Sequence, residues 1–425
     1  MIKMRKYFSK LPEELKNLIA QVAKVSDDSR MPAYLVGGFV RDMLLGVKNL
    51  DMDIVVEGSG IEFAQKLMPK LKAKIIIHQR FGTATLSFGK LKVDLASARQ
   101  ETYAHPGDLP EVSFSSLSDD LKRRDFTINA MAVSISGKMD LRLIDPFDGK
   151  NDLAGRKIRV LHDLSFQDDP TRIFRAVRFE QRYGFKIQPR TLILLKYALN
   201  HGYLGLISPQ RKRHELILIL KENNPYQQIK RLKDLKALDL FCREFSKIKI
   251  NRSLFAASEK QIAWFNQEYP GRRKLDTWLI YFMALIDGLT YVQSSKLSIA
   301  LNLRTGEEKR ILSLKSFSKS CLRDLSSIRI TPPRIFVLLE PLSYETIIFL
   351  KAKYASLILK KHISDFMEIY NGMRVCVSGE VLQKLGVLPG PKYKVIFSKV
   401  LHAKLNGSVK SPQDEVALIR KLIKQ

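Results

Sequence analysis

The run Ala33 to Val56, AYLVGGFVRDMLLGVKNLDMDIVV, constrains this chain more than any other stretch. A strand-like segment ends in two glycines, a helix-like GGFVRDMLLG follows, and a second apolar segment opens on Asp51-Met52-Asp53. Residues two apart on a strand point to one face, so Asp51 and Asp53 would present their carboxylates side by side. Two such groups repel unless a cation sits between them. Hard oxygen donors suit Mg²⁺, which keeps its other positions for water and substrate phosphates. Asp94, in KVDLAS on a later strand, could close the site from alongside. Without β-carbons, Gly37 and Gly38 let backbone amides approach a phosphate at a helix start, where negative charge is favoured, and Arg41, one turn in, adds a guanidinium.

Around this run the first third alternates helix and strand. Pro12 to Val25 carries apolar residues at helical spacing, and Met52 to Val56, Ile75 to Ile77, Thr83 to Phe88 and Leu91 to Ala96 look like strands. A helix opens at IEFAQKLM before the third strand. From about Asp168 the texture changes to Leu/Ile-rich segments at three- and four-residue spacing: TRIFRAVRFEQRYG, RTLILLKYALNHG, RHELILILKE and DTWLIYFMALIDGL. The first two close on a helix-stopping glycine. The fold class is therefore α+β, a small mixed-sheet head followed by helices.

With 425 residues the chain exceeds one ordinary core. Its 72 Lys+Arg against 43 Asp+Glu, a formal +29 spread along the chain, attracts polyanions and points to a nucleic acid partner. Cys242, Cys321 and Cys376 stand far apart with no CxxC spacing, which suggests neither a structural zinc site nor a disulfide framework and fits a reducing compartment. The start, MIKMRKYFSKLPEELKNLIAQVAK, is amphipathic rather than a signal peptide, and no apolar run approaches the roughly 20 residues of a membrane span. A cytoplasmic protein with no membrane association and no obligatory protein partner is expected.

LVGGFVRDMLLG followed by LDMDIVV resembles the signature of the class II tRNA nucleotidyltransferase and bacterial poly(A) polymerase family. DLKRRDFTINAMAV (Asp120 to Val133) looks like its second motif, and DDPTRIFRAVRFEQRYGF (Asp168 to Phe185) its nucleotide-selecting motif. SPQRKRHEL (Ser208 to Leu216) and SGEVLQKLGVLPGPKYKVI (Ser378 to Ile396) resemble a neck motif and the closing segment of the tail. The resemblance implies a polymerase-beta-like nucleotidyltransferase head (1–155), a helical neck carrying the nucleotide-selecting motif (156–245), a helical body (246–370) and a helical RNA-binding tail (371–425). It implies Asp51 and Asp53 as metal-binding and catalytic, with Asp94 as the third acidic residue, helping to deprotonate the attacking 3′-hydroxyl. Gly38 and Arg41 would contact triphosphate, Arg124 and Asp125 sugar and phosphate, Asp169 and Arg172 the edge of the base, and Arg175 and Arg178 other parts of the nucleotide.

The selecting motif also has a physical rationale. If Asp168 to Tyr183 is one helix, Asp169 and Arg172 are neighbours, and Asp168, Arg172, Arg175 and Arg178 share much of one face. An Asp offers acceptors to an exocyclic amine and an Arg a fork of donors, so protein side chains stand in for a template base. Position 168 is Asp where many relatives have Glu. The segment Ala98 to Arg123 reads as a mobile connection over the site and resembles the element that lets family members accept ATP. His162-Asp163 spells the dipeptide of metal phosphohydrolases, but the further His and Asp ligands are lacking. The aromatics Tyr34, Phe39, Phe174, Phe179 and Tyr183 fall mostly at core spacing. The resulting expectation is Mg²⁺-dependent addition of CMP and AMP, from CTP and ATP, to the tRNA 3′ end at the acceptor stem. An A-adding enzyme, a poly(A) polymerase and an inactive RNA-binding protein on the same scaffold stand as alternatives.

Overall fold

In the computed structural model, which describes residues 4–424 apart from 48, 80–81, 136–140 and 242, the apolar alternation of the first third resolves into a seven-stranded sheet. Its strands are β1 (Ala33–Val36), β2 (Asp51–Val56), β3 (Lys74–His78), β4 (Thr83–Phe88) and β5 (Leu91–Ser97), joined by β8 (Ala132–Ser134) and β9 (Leu143–Ile144). The order is β3-β4-β5-β2-β1-β8-β9. Every pair is antiparallel except β2 with β5, which run parallel with Asp53 opposite Asp94 and Asp51 opposite Lys92. A parallel pair needs a crossover, supplied here by the helix Gly60–Leu71 with β3 and β4.

Met52, Ile54 and Val56 on β2, with Val93 and Leu95 on β5, are buried, so the interleaved acidic positions look the other way. The helix Gly60–Leu71 packs on β4 and β5 and against the helix Glu13–Ser29. Its first residue lies so close to β5 that a β-carbon would stand 2.8 Å from Ala96 C and Ser97 N, and its N–H donates to Ser97 Oγ.

Three features differ from the sequence reading. Ala98 to Arg123 is not a bare connection: β6 (Arg99–Thr102) and β7 (Glu111–Phe114) form an antiparallel hairpin, followed by the helix Leu117–Lys122. β8 and β9 extend the sheet beyond β1, short strands of which β8 pairs with β1, about a hundred residues away, and β9 pairs with β8. Asp168 to Tyr183 is not one helix. A short helix ends at Asp168, Asp169 is extended at φ −133° and ψ 95°, and a new helix runs Arg172–Tyr183. Pro170 is the cause, because proline crowds the preceding residue out of the helical region.

The helices expected downstream are present as Arg172–Tyr183, Pro189–Asn200, Pro209–Leu220 and Thr277–Leu285. Gly184 and Gly202 adopt the left-handed backbone that stops the first two. By contacts the chain divides into two compact units, one of residues 1–215 with 222–243, the other of residues 216–221 with 244–425. The second unit is helical. Its buried helix Thr277–Leu285 packs with Arg252–Glu268 and Tyr344–Lys353, and a separate cluster of Leu382, Val387, Ile396, Val400 and Ile419 forms the core of the last fifty residues. Among the described residues no helix is long and apolar enough to cross a membrane. Cys321 and Cys376 are free thiols, while Cys242 lies outside the described residues.

Because Gly60 has no room for a side chain, Gly60→Ala should push the crossover helix off β5. We expect a loss of about 1–3 kcal/mol in urea unfolding. An unchanged midpoint would show that this approach does not hold the acidic strands in place.

Candidate active site

The helix Gly37–Leu45 starts directly after β1 and ends at Gly46 in the left-handed region. Gly37 has φ +64°, donates its N–H to Met131 O, and would place a β-carbon 2.6 Å from Arg124 Nη1. Glycine here admits the Arg124 guanidinium to the start of the helix. Asp120, fully buried, accepts from Arg124 Nε and Nη2 at 3.2 and 2.8 Å and from Arg123 Nε at 2.9 Å, so one carboxylate aims two arginines. Arg41 is held by Asp42 (2.8 Å) and Asn129 (2.6 Å), its guanidinium 5.3 and 4.9 Å from the Phe179 and Tyr183 ring centres.

Gly37, Arg41, Arg123, Arg124 and Asn129 line a cavity of about 380 Å³ that Asp53, Asp125, Asp169, Arg172 and Arg175 also border. Asp169 accepts from Thr171 N–H (3.0 Å), Thr171 Oγ1 (2.6 Å) and Arg211 Nη2 (2.6 Å), all on Oδ1. Among the described residues Oδ2 takes no hydrogen bond and is left as an acceptor. Arg172, 4% exposed, is locked by Ser165 Oγ (2.6 Å) and Arg123 O (2.7 Å). The Pro170 break therefore brings Asp169 and Arg172 to one cavity by a turn rather than along a helix face.

Asp125 accepts from Phe126 N–H (2.8 Å), Asn129 Nδ2 (2.9 Å) and Arg175 Nη2 (2.6 Å). Burial alone would push its carboxyl up. The Arg175 guanidinium and the Asn129 bond overcome this and hold it below the usual range. Asp125 thus reaches the cavity mainly by orienting Arg175. Arg178 does not line the cavity: it lies 3.2 Å from Glu222 and 3.6 Å from Glu215. Asp168 also lies outside it, 3.8 Å from His162, while Asp163 pairs with Arg190 at 2.5 Å.

A second cavity, of about 440 Å³, shares Asp53, Arg123 and Arg124 with the first and adds Asp94, His78, Thr83 and Thr85. The parallel register sets Asp53 beside Asp94, with Asp51 two residues along the same face. Burial pushes the Asp53 carboxyl up, Arg124 draws it down and Asp94 pushes it up again, leaving it raised. Asp94 accepts from Thr85 Oγ1 (2.5 Å) and from Lys92 Nζ (2.7 Å), so an ammonium already sits where a cation is attracted. Oxygen donors on one face with a lysine standing in as counter-ion fit a divalent cation. Among the described residues no three acidic, His or Cys groups converge into an enclosing cage. That open arrangement suits an ion held by one or two carboxylates and completed by water and substrate phosphates.

Sequence reasoning missed Lys92, Glu101, Tyr103, Arg123, Asn129 and Arg211. Glu101 and Tyr103 were hidden by reading β6 as loop, although the alternation in ARQETY was available. Arg211 sits inside the SPQRKRHEL segment but gave no hint that its fork bridges Asp169 and Gly107 O (2.9 Å).

Residues 33–159 match the family described as Poly A polymerase head domain. The chain is 37% identical over 422 residues to an A-adding tRNA nucleotidyltransferase of Geobacter sulfurreducens, spanning 97% of this chain and 47% of that protein. It is 31% identical over 413 residues to an A-adding tRNA nucleotidyltransferase of Halalkalibacterium halodurans, spanning 95% of this chain and 91% of that one. A Thermotoga maritima CCA-adding enzyme complexed with tRNA superposes with a TM-score of 0.70 at 32% identity, covering 99% of both chains.

The Asp125–Arg175 pair gives a pH-dependent test. Because the Asp125 pKa is depressed on folding, its contribution is present above the unfolded value, about 3.9, and is lost as pH falls through the folded value. Asp125→Asn should cost about 1–3 kcal/mol at pH 7, with the gap to the parent narrowing below about pH 4 in urea titrations. A gap that widens on acidification would contradict the assignment.

Proposed function

The chain belongs to the tRNA nucleotidyltransferase family, and on that premise we propose that it extends the tRNA 3′ end without a nucleic acid template, attaching AMP to a terminus that ends in CC. The observation that carries this reading is that Asp53 borders two cavities. One holds the arginines and the Asp169–Arg172 pair, and the other opens beside Asp94. A triphosphate in the first and an RNA end in the second would meet at the carboxylates.

In this reading Arg124 and Arg41 bind the triphosphate at the start of the helix Gly37–Leu45, and Arg175, oriented by Asp125, adds charge beside it. Asp169 Oδ2 accepts from an exocyclic amine, and Arg172 offers donors from a guanidinium that cannot turn away. The RNA 3′-hydroxyl attacks the α-phosphorus and pyrophosphate leaves. Asp94 takes up the hydroxyl proton after Lys92 releases one of its oxygens. Asp51 and Asp53 would hold Mg²⁺, which when bound lowers the hydroxyl pKa and offsets charge on the leaving group. Because these donors are fixed before substrate arrives, little reorganisation is needed in the transition state.

The choice of terminal A addition is supported by the names of the Geobacter and Halalkalibacterium relatives. Complete CCA addition, from CTP and ATP, is the second reading, supported by the name of the Thermotoga enzyme. That enzyme's complex also supports tRNA as partner, gripped through backbone and shape by the basic helices. The division into head (1–155), neck (156–245), body (246–370) and tail (371–425) is proposed on the same grounds. Arg178, paired with Glu222, is assigned to holding the neck helices together rather than to touching nucleotide.

Transcripts ending at the discriminator base, at C and at CC, each given CTP, ATP or both, test this directly. We expect one AMP on the CC transcript and no CMP on the others. CMP incorporation would establish the second reading, and an open adenosine tail would make the protein a poly(A) polymerase. Asp53→Ala should abolish incorporation with tRNA affinity changed less than about twofold, since the carboxylate pair acts on reacting atoms rather than on the RNA backbone. Full activity in that variant would remove the carboxylate assignment.

A further inference from the structure

Two aromatic rings border the first cavity, those of Phe179 and Tyr103. Phe179 has no face to offer. It is 6% exposed, with Arg41 and Arg175 at 5.3 and 5.6 Å from its ring centre, Phe126 edge-on and Tyr183 stacked. Tyr103 differs. It follows β6, its hydroxyl donates to Glu101 Oε2 at 2.9 Å, and Glu101 is fixed through Oε1 by Arg99 (3.0 Å) and Arg123 (2.9 Å). The ring is thus tethered by its rim, and among the described residues no other ring or cation covers either face. Burial and the neighbouring Glu101 keep the phenol protonated well above its ordinary range, so it remains a donor to Glu101. Asp169 and Arg172, the pair assigned to the edge of a base, border the same cavity.

A half-buried planar ring that borders the cavity with no ring or cation among the described residues on its faces, held from its rim beside Asp169 and Arg172, is suited to serve as a stacking platform. We propose that Tyr103 is the surface on which the base of the incoming nucleoside triphosphate stacks, while Asp169 and Arg172 read its edge. This rests on the first cavity being the nucleotide site. Stacking scales with overlapping ring area, so a purine gains more from Tyr103 than a pyrimidine does. The platform thereby favours ATP over CTP before any edge is read.

Equilibrium dialysis of the full chain with ATP, CTP or inorganic tripolyphosphate, without RNA, separates the possibilities. Tyr103→Leu, which removes the π-face, should weaken ATP about tenfold and CTP about threefold, and leave tripolyphosphate unchanged. Tyr103→Phe keeps the ring while losing the Glu101 tether, and should hold ATP within about threefold of the parent. Equal ATP affinities for the Leu and Phe variants would overturn the platform. So would a loss of tripolyphosphate binding in the Leu variant equal to its loss of ATP, since that would make Tyr103 a support of the fold. If the parent chain binds tripolyphosphate but neither nucleotide better, the nucleotide-site reading itself fails and takes the platform with it.

Discussion

The parallel pairing of β2 with β5 is the constraint on which the site depends. Every other pair in the sheet is antiparallel, yet this one sets Asp53 opposite Asp94. Because side chains alternate strictly, a slip of one residue would turn Asp94 toward the helices and an apolar residue toward the site. What prevents the slip is not the carboxylates, which repel, but Met52, Ile54, Val93 and Leu95 on the opposite face. The chemistry of one side of the sheet is registered by the hydrophobic burial of the other. Gly60 completes the arrangement by letting the crossover helix lie directly on the backbone of β5.

The acidic minority of this basic chain is used to orient arginines, some bordering the cavity and others, such as Arg178 and Arg182, outside its lining. Asp120 holds Arg123 and Arg124, Asp125 holds Arg175, Glu222 holds Arg178 and Arg182, and Glu101 ties Arg99 to Arg123. A guanidinium that is already desolvated and braced loses less freedom on meeting phosphate than one swinging in water. The net charge of +29 attracts polyanions, and in the proposed reading the braced arginines at the cavity are where phosphates would settle.

Much of this was legible in the residues. The strands β2, β4 and β5 fell where alternation put them, and the two glycines opened a helix as their position after a strand requires. What stayed hidden had long-range causes. β8 is a strand only because β1 is beside it. The burial of Arg41 under Phe179 and Tyr183 joins segments some 140 residues apart in sequence, which no local period reports. The hairpin of β6 and β7 was masked by Pro106, Gly107 and Pro110 at its turn, which read as loop and obscured the short strands on either side. Pro170 is a different case: its effect on Asp169 follows from local sterics, but the helical period of the flanking residues outweighed it in the reading.

Arg211 has a consequence for motion. Its two terminal nitrogens are divided between Gly107, at the turn of the hairpin, and Asp169. A guanidinium is flat and stiff, so displacing one nitrogen swings the other. The turn cannot lift with Arg211 attached unless Asp169 gives up its partner, and Asp169 cannot rotate toward a ligand with Arg211 attached unless the turn follows. The position of the hairpin turn and the posture of this carboxylate are thereby tied to each other through a single side chain.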